Sequence, residues 1–370
     1  MKIRYKQGPS GPAAVAKIYG PEEHSIDPAL IDSDAVSVVS RLFDRGYEAY
    51  IVGGAIRDIL LGIVPKDFDI ATSASPRQVH RIFHNSRIIG RRFKIVHVAF
   101  GRKIIEVSTF RSIKDHEEGN DNNFGTIEED SSRRDFSINS LYYNPLDNTV
   151  LDFNNAMEDF KYHRITSLIP LDRTFSEDPV RMLRAVKYNV TTGFRFRFGI
   201  AYAIKKNALL LQNVSSSRLT EELNKILASG YSAPIMKNLN KYRLLVFLLP
   251  CYSMYIKRPE MLESLRELDE KVLKSKYNPD LPEVPKHEQY LALCRPVLNL
   301  DPDLTNPSEI RLDLLRQIKV LISPNTPPNY ELEGAVKTFM KENNIKLPQP
   351  PRKKPVKKQH PVRPSRVPRS

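Results

Sequence analysis

The stretch IVGGAIRDILLGIVPKDFDI, Ile51 to Ile70, constrains the fold of this chain more than any other segment. It joins a glycine pair, an Arg-Asp pair and two aspartates that a single phenylalanine separates, all among apolar residues. With the preceding YEAY, the pattern predicts a strand, a glycine turn, a helix and then a short strand over KDFDIATS. The two aspartates are either an ordinary charged turn after Pro65 or a pair of metal ligands.

The neighbouring segments predict a mixed α/β head. DAVSVVSRLF, Asp34 to Phe43, has helical spacing, and Asp32 to Asp34 offer a cap. SPRQVHRIF begins with Ser75 as a cap and Pro76 at the first helical position. FKIVHVAFGRKIIEVSTFR predicts two strands joined in a hairpin at Gly101-Arg102.

From SEDPVRMLRAVKY onwards the pattern is helical, as in SRLTEELNKILASG with its serine start and glycine stop. The chain therefore predicts an α+β fold, in which an α/β head precedes an all-α neck and body. KDHEEGNDNNFG, residues 114–125, predicts a mobile loop. The predicted divisions are a flexible N-terminal segment (1–24), the head (25–165), the neck (166–230), a helical RNA-binding body (231–347) and a disordered basic tail (348–370).

Charge and cysteine content restrict the partners and the compartment. The net charge of +14 indicates a polyanionic partner, and residues 348–370 hold seven prolines and eight Lys or Arg. Cys251 and Cys294 have no CxxC spacing, which favours a reducing compartment and argues against a zinc module. A signal-peptide core is not visible, and the longest apolar run, RLLVFLLPCY, is too short for a bilayer. We expect a cytoplasmic protein without a membrane partner.

Asp67 and Asp69 have the spacing of a metal-binding pair. Side chains two apart in a strand point to one face, so both carboxylates would project together while Phe68 turns into the core. Two adjacent carboxylates repel each other unless a cation lies between them. Hard oxygen ligands of this kind suit Mg²⁺, with Mn²⁺ as a substitute, and two ions could clamp the attacking and leaving oxygens of an in-line displacement. An isolated DxD would instead favour a solvated turn.

The glycine pair strengthens the metal interpretation. Gly53-Gly54 lets the backbone approach a ligand closely at the start of a helix, which is a natural position for phosphate. Arg57 lies one turn further along and could grip phosphate oxygens. A glycine pair alone is weak evidence, whereas GGxxRD followed at this distance by DxD is strong.

Three motifs together resemble one enzyme family. VGGAIRD…KDFD, RRDFSINSL and EDPVRMLRAVKY are similar in type, order and spacing to the motifs of the class II nucleotidyltransferases, which are the bacterial poly(A) polymerases and the tRNA CCA-adding enzymes. The resemblance runs from about Tyr47 to Tyr188 and more loosely through the helical part. It implies that the α/β head is a nucleotidyltransferase head similar to that of polymerase β. It also implies a Mg²⁺-dependent enzyme that adds nucleotides to RNA 3′ ends.

The resemblance also implies roles for single residues of the head. Gly53, Gly54 and Arg57 would contact the triphosphate, Asp67 and Asp69 would be catalytic metal ligands, and Arg134 would touch the nucleotide. Asp135 is either an orienting partner for the arginines or a helix cap.

Two residues compete for the place of a third carboxylate. Glu106 lies on the second strand of the predicted hairpin, where polymerases of this superfamily place a further metal ligand. Asp130 lies in the motif EEDxxRRD and is the other candidate for a catalytic role. The residues alone leave this choice open.

The motif EDPVRMLR, in the context of the family, implies that the protein itself reads the base. Pro179 in a first helical turn leaves Glu177 and Asp178 at the cap, and Asp178 and Arg181 are predicted three apart on one face. A carboxylate accepts from an exocyclic amino group and a guanidinium donates to the adjacent ring nitrogen, a pattern that adenine and cytosine both match. Guanine and uracil would leave both groups unpaired, at about 1–3 kcal/mol for each buried group. Arg184 would reach the phosphates or the ribose.

The choice between poly(A) and CCA synthesis depends on other segments. Ile88 to Arg111, with GRRF followed by His97-Val98, resembles the signature that separates bacterial poly(A) polymerases from their CCA-adding relatives. We assign His97 no catalytic role. The basic tail favours sequence-independent attraction to RNA, and a His-Asp dipeptide typical of some CCA enzymes is absent from the sequence.

We therefore predict a template-independent poly(A) polymerase. Its partners would be ATP and RNA 3′ ends in mRNA fragments and small RNAs, with RNA-decay proteins as further partners. The alternative is a CCA-adding or A-adding tRNA nucleotidyltransferase. A non-catalytic RNA-binding protein with the same fold ranks lower, because Asp67 and Asp69 are both present.

Overall fold

A computed structural model describes residues 1–8, 11–90, 94–112, 124–278 and 280–347. Three features predicted from the sequence lie wholly or mainly outside these ranges. They are the arginine pair of the GRRF signature at residues 91–92, the loop at residues 114–125 and the basic tail at residues 348–370.

The head is built on a sheet that has nine strands in the described part of the chain, in the order β1-β2-β9-β8-β3-β4-β7-β6-β5. β4 and β7 run parallel, and every other neighbouring pair is antiparallel. The strands are β1 (Lys2–Gly8), β2 (Gly11–Tyr19), β3 (Ala49–Val52), β4 (Asp69–Thr72), β5 (Ser86–Ile89), β6 (Ile95–Phe100), β7 (Lys103–Thr109), β8 (Leu141–Asn144) and β9 (Thr149–Asp152).

The first two strands correct a prediction. We expected a flexible segment over residues 1–24, yet Lys2–Gly8 and Gly11–Tyr19 form an antiparallel pair, and β2 continues the sheet by pairing with β9. The segment KIRYKQG alternates basic residues with Ile3 and Tyr5, which is a strand pattern. Its glycines and prolines obscured that pattern, because they cluster at the connection between the two strands.

In the described ranges, five helices accompany the sheet. They are α1 (Ser33–Phe43), α2 (Gly54–Leu60), α3 (Pro76–Ile82), α4 (Ile127–Ser132) and α5 (Ala156–Lys161), with 3-10 turns at Pro21–Glu23, Pro28–Leu30 and Ser137–Asn139. Two of them, α1 and α3, start at the predicted caps. The Asp32 carboxylate accepts a hydrogen bond from the Asp34 N–H before α1. Ser75 and Gln78 form a capping box at α3, with Pro76 in the first turn. The predicted hairpin of β6 and β7 is also confirmed.

The two faces of the sheet are covered unequally. Ile70, Val96 and Val107 point into a large apolar cluster that α1 to α3 complete. The opposite face has a smaller cluster, which includes Ala71 and Tyr142. Successive side chains of a strand point to opposite faces. The side chains of β4 and β7 next to those in the large cluster therefore point towards the less covered face.

The rest of the chain is helical, as predicted, apart from a parallel pair of two-residue strands, β10 (Arg164–Ile165) and β11 (Arg195–Phe196). Its core is continuous with Phe136 and Ile138 of the head. Within the described ranges, no helix is long and apolar enough to cross a membrane. The helices are α6 (Thr174–Glu177), α7 (Val180–Thr192), α8 (Ile200–Asn207), α9 (Ser216–Leu227), α10 (Ser232–Lys241), α11 (Leu245–Leu248), α12 (Pro250–Tyr255), α13 (Pro259–Tyr277), α14 (Lys286–Cys294), α15 (Pro307–Ile322) and α16 (Asn329–Glu342), with 3-10 turns at Ala208–Asn213 and Arg295–Val297.

Candidate active site

A cleft of about 1400 Å³ lies between the less covered face of the sheet and helices α7 and α9. Its wall brings together side chains from the glycine turn, the DxD segment, α4, α7 and α9. Among the residues predicted from the sequence, the cleft is lined by Gly53, Gly54, Arg57, Asp67, Asp69, Asp130, Arg134, Asp135, Asp178, Arg181 and Arg184. Motifs more than a hundred residues apart in the chain therefore face one space.

The glycine turn between β3 and α2 lies at the centre of the cleft. Gly53 has φ +75°, in the region that side chains rarely adopt. A Cβ built there would lie 3.6 Å from Arg134 Nη1 and 3.9 Å from Asp69 Oδ2. Glycine therefore permits the backbone conformation and also keeps open the space between a cationic and an anionic side chain.

The DxD pair projects into the cleft, although only one of its members is in a strand. β4 begins at Asp69, and Asp67 belongs to the connection that precedes it, so the prediction of one strand carrying both is corrected. The chain nevertheless alternates, because Phe68 is buried while both aspartates are exposed. Phe68 packs into the large apolar cluster of the head and thereby holds the two carboxylates on the cleft side.

Like charges surround Asp69. Its Cα is paired with that of Glu106 across the parallel strands β4 and β7. Desolvation by the cleft walls, the carboxylate of Glu106 and then that of Asp67 raise the pKa of Asp69 to about 6, although Arg134 acts in the opposite direction. An accumulation of carboxylates of this kind is relieved when a cation binds between them.

The donor set suits a hard divalent cation that keeps other ligands. Among the described residues, no group of three or more His, Cys, Asp or Glu side chains is close enough to hold a metal ion alone. Mg²⁺ typically takes one or two carboxylates and completes its octahedron with water and substrate phosphates. Asp67 and Asp69 fit that arrangement.

Asp130 is occupied by contacts within the protein. Its Oδ1 accepts a hydrogen bond from the Arg111 N–H at 3.2 Å, and its Oδ2 accepts from Tyr142 Oη at 2.6 Å and from Arg134 Nη2 at 3.2 Å. The residue is only 8% exposed. These contacts fix the Arg134 guanidinium, whereas Glu106 is the carboxylate beside Asp69, although Glu106 does not line the cleft.

Arg57 is held on three sides. The Asp58 carboxylate accepts from its Nε at 3.0 Å and from its Nη2 at 2.8 Å, and Asn139 Oδ1 accepts from its Nη1 at 2.8 Å. The guanidinium carbon lies 4.9 Å from the centre of the Tyr188 ring, within cation–π distance. This fixed orientation is what a phosphate-binding arginine requires.

Asp135 connects two arginines. Its Oδ2 lies 2.9 Å from Arg184 Nη2, and its Oδ1 accepts from Asn139 Nδ2 at 3.0 Å. Asn139 in turn contacts Arg57, so one carboxylate is linked to both guanidinium groups. Of the two alternatives for Asp135, the geometry favours an orienting partner.

Several of these supporting residues have no individual role in the sequence-based predictions. Asn139 and Tyr188 do lie within the motifs RRDFSINSL and EDPVRMLRAVKY, which was the available signal. Asp58 also follows Arg57 directly in the chain. Tyr142 has no such signal, because it reaches Asp130 only through the order of strands in the sheet.

On the neck side, Asp178 lies immediately before Pro179 at the start of α7, consistent with the predicted position at the cap. Asp178 lies between α6 and α7 in an extended conformation and accepts a hydrogen bond from the Val180 N–H at 3.2 Å. The residue before a proline is disfavoured in the helical region, which explains the break at Pro179. Asp178 and Arg181 both line the cleft.

Both members of this pair have protein partners. Arg218 Nη2, from α9, donates to both oxygens of Asp178 at 2.9 Å. Arg181 Nη1 donates to the Thr174 carbonyl at 3.0 Å and to Glu177 Oε2 at 3.4 Å. The sequence analysis missed Arg218, since α7 and α9 come together only in the folded chain.

A buried acid supports the basic wall of the cleft. Glu222 accepts from Lys187 Nζ at 3.1 Å and from Lys225 Nζ at 3.2 Å. Burial disfavours the ionised form, but the two lysines keep the pKa of Glu222 below its ordinary value. Lys187 and Lys225 both line the cleft, and Glu222 thus holds two basic side chains in its wall.

Two family descriptions match the chain. "Poly A polymerase head domain" matches residues 49–166, and "Probable RNA and SrmB- binding site of polymerase A" matches residues 193–255. The first range contains the glycine turn, the DxD pair, Asp130 and Arg134. The resemblance stated from the motifs is thereby confirmed.

Among curated relatives, the Poly(A) polymerase I of Escherichia coli O6:H1 is 44% identical over 251 residues, which are 63% of this chain and 53% of the relative. The CC-adding tRNA nucleotidyltransferase of Halalkalibacterium halodurans is 38% identical over 192 residues, which are 52% of this chain and 48% of the relative. The chain spans about half the length of these curated relatives. Both kinds of transferase are therefore among its relatives.

A solved structure is similar over most of the chain. The crystal structure of the Bacillus stearothermophilus CCA-adding enzyme in complex with CTP matches with a TM-score of 0.57 and 25% identity, covering 85% of this chain and 83% of that one. An α/β head followed by helices is therefore the arrangement of a known fold.

Proposed function

Because the chain carries a poly A polymerase head domain, we propose that it is a template-independent poly(A) polymerase, which adds AMP from ATP to RNA 3′ ends and releases pyrophosphate. The observation that carries this proposal is the cleft itself. It sets the carboxylates Asp67 and Asp69 and the clamped Arg57 opposite the pair Asp178 and Arg181. The residues proposed to grip phosphate, to bind metal and to recognise the base thus face one cleft of about 1400 Å³.

The head binds the triphosphate. Gly53 and Gly54 let the phosphates approach the backbone, and Arg57, Arg134 and Arg184 supply positive charge from three directions. Each guanidinium already has a carboxylate partner, so little side-chain freedom is lost when ATP binds.

The carboxylates beside β4 would hold Mg²⁺ or Mn²⁺, two ions in all. Asp67 and Asp69 are the direct ligands in this proposal, and Glu106 is the third carboxylate, because it lies beside Asp69 while the oxygens of Asp130 are engaged. When bound, the ions would lower the pKa of the RNA 3′-hydroxyl and neutralise charge on the triphosphate.

The reaction needs no protein nucleophile. The 3′-oxygen of RNA attacks the α-phosphorus of ATP, a new P–O bond forms, and the bond to the β-phosphate oxygen breaks. The arginines bind the charge of the leaving pyrophosphate, and the cleft walls hold the two reactants in line. Catalysis is therefore mainly positioning and charge stabilisation.

Base selection is assigned to the neck. The Asp178 carboxylate would accept from the amino group of adenine, and Arg181 would donate to the neighbouring ring nitrogen. Arg218 and Thr174 hold these two side chains, which supports a recognition surface of fixed shape. A base with a keto oxygen in this position would place a hydrogen-bond acceptor against the Asp178 carboxylate, which is itself an acceptor.

The RNA partner follows from charge. Sequence-independent binding of the 3′ ends of mRNA fragments and small RNAs is supported by the net charge of +14 and by the basic tail, which lies outside the described residues. A cytoplasmic location and contacts with RNA-decay proteins belong to the same proposal.

One experiment tests the activity. The purified protein is incubated with Mg²⁺, an arbitrary RNA and each nucleoside triphosphate separately, and then with tRNA that lacks its 3′ end. We expect a long ladder from ATP on both RNAs and little extension with GTP or UTP. Extension that requires tRNA, or no extension at all, would contradict the proposal.

A CCA-adding or A-adding tRNA nucleotidyltransferase is the second candidate. It is favoured by the similarity to the CC-adding relative and to the CCA-adding enzyme of known structure. The same assay separates the two, since growth that stops after C-C-A, or after one A, would support this alternative.

A further inference from the structure

A row of polar side chains crosses the sheet beside the cleft. His97 on β6 is directly opposite Glu106 on β7, and Glu106 is directly beside Asp69 on β4. Directly paired residues on neighbouring strands point to the same face of a sheet. The three side chains therefore form one row, which begins at the metal-binding carboxylates and leads away from the cleft.

The alternation along the strands places this row on the less covered face. Val96 and Val98, the neighbours of His97, are buried in the large apolar cluster on the other face, as are Ile105 and Val107 around Glu106. A side chain at position 97 or 106 has no room on that side. His97 and Glu106 therefore point to the site face, as does Ser108 of β7, which lines the cleft.

The contact between the first two members is close. His97 Nε2 lies 3.3 Å from Glu106 Oε1, while the Glu106 side chain is 50% exposed. Among the described residues, His97 is the only side chain that forms an ion pair or hydrogen bond with Glu106. A half-exposed glutamate without another partner would sample several rotamers, so His97 selects among them.

We infer that His97 is a positioning residue, which holds Glu106 beside Asp69 so that the carboxylates can share a divalent cation. This inference rests on the proposed function, and it changes the assignment of His97, to which the sequence analysis gave no role.

A purely structural role for His97 predicts something different. A half-exposed cross-strand pair contributes little to folding, so its loss would leave both stability and cation binding nearly unchanged. Groups that orient a metal-binding side chain, in contrast, typically change metal affinity by about 10- to 100-fold when they are removed. Cation affinity therefore distinguishes the two roles.

The test compares His97→Leu, which removes the ring nitrogen, with His97→Gln, whose amide can donate from a similar position. His80→Leu is the matched control, because His80 is an exposed head histidine on α3 that contacts Ser86. For each variant, Mn²⁺ binding to the protein–ATP complex is measured by electron paramagnetic resonance without RNA. The Mg²⁺ concentration for half-maximal rate, the KM for ATP and thermal unfolding are measured as well.

We expect His97→Leu to weaken Mn²⁺ binding and to raise the Mg²⁺ requirement by about tenfold, with an unchanged unfolding transition and KM for ATP. His97→Gln should recover most of the loss, and His80→Leu should match the wild type. In a Glu106→Gln background, His97→Leu should have no further effect.

The inference is overturned if His97→Leu leaves Mn²⁺ affinity within twofold of the wild type, or if its effect persists in the Glu106→Gln background. A failure of the proposed function is a separate result. In that case the wild type would extend no RNA, while the Mn²⁺ measurement on the ATP complex would still report on His97.

Discussion

The two sides of the cleft carry carboxylates in opposite situations. On the head side, Asp69 lies among Glu106 and Asp67, and this crowding helps to raise the pKa of Asp69 to about 6. On the neck side, both oxygens of Asp178 accept from Arg218. One side thus concentrates negative charge, whereas the other neutralises it within the protein.

The difference indicates which part of the reaction each side performs. A carboxylate among like charges gains most from a cation supplied by the solvent or the substrate, which is the requirement of a metal-dependent step. A carboxylate that is already paired and oriented offers a fixed hydrogen-bond acceptor, which is the requirement of base recognition. The comparison therefore predicts that mutations on the head side change rate, and those on the neck side change nucleotide choice.

The largest effect should come from Asp69→Asn. The substitution preserves shape and removes the charge that a cation needs, so we expect kcat to fall by about a thousandfold or more, a loss of about 4 kcal/mol in transition-state stabilisation. Radioactive AMP incorporation at saturating ATP and RNA measures it. Asp44→Asn, at the exposed end of α1, is the matched control. Activity of Asp69→Asn close to that of the control would end the metal assignment.

The next prediction separates the two candidates for the third carboxylate. Glu106→Gln should lower kcat by about a hundredfold and raise the Mg²⁺ requirement. Asp130→Asn should mainly raise the KM for ATP, by about tenfold, because Asp130 holds Arg134. Steady-state kinetics at several Mg²⁺ concentrations resolve the two patterns. The reverse assignment would follow if Asp130→Asn shifted the Mg²⁺ dependence and Glu106→Gln did not.

A smaller overall effect, but a larger change in selectivity, is expected for Arg181→Ala. Loss of one base contact should reduce the preference for ATP over the other triphosphates by about 1–3 kcal/mol, with a modest loss of kcat. Competition between labelled triphosphates gives the ratio of kcat/KM values directly. Arg173→Ala is a suitable control, since Arg173 is an exposed neighbour that pairs only weakly with Glu177. An unchanged preference would contradict template-like recognition by the neck.

The smallest effect on chemistry should follow from removal of residues 348–370, which carry eight Lys or Arg. We expect weaker RNA binding and a flatter dependence of affinity on salt, because fewer counterions are released. The identity of the added nucleotide should not change. Filter binding from low to moderate salt measures how steeply RNA affinity falls with salt. An unaltered slope would show that the RNA contacts lie within residues 1–347.

Local signals in the sequence predicted local structure well. Asp32 and Ser75 mark the starts of α1 and α3, because capping depends on residues within one turn. The glycine turn and the β6–β7 hairpin were predictable for the same reason. The predicted candidates also met in one cleft, apart from Glu106, which lies beside it.

The contacts that could not be predicted from the sequence depend on which strands and helices become neighbours in the fold. The proposed choice of Glu106 over Asp130 rests on the parallel pairing of β4 with β7 and on the position of Tyr142 on β8. Arg218 could not be assigned to Asp178 without the packing of α9 against α7. In each case, the partner is distant in the chain, and charge or motif alone does not identify it.

Asp178 is an instructive exception, since its signal was present in the sequence. The prediction placed it at the cap before Pro179, and a residue that precedes proline is pushed towards extended backbone. Its observed φ of −145° follows that rule. The break turns the carboxylate towards α9, where Arg218 can reach it.

The pairing of β2 with β9 has a consequence for how the protein is made. Tyr19 pairs with Val150, so β2 cannot pair with β9 during translation until the distant β8–β9 hairpin has left the ribosome. Pairings between remote segments form slowly, whereas the helices after α6 depend largely on contacts between neighbours in the chain. Until the β8–β9 hairpin emerges, the edge of β2 that pairs with β9 in the folded sheet has no partner, and unpaired strand edges make partly folded chains prone to aggregation.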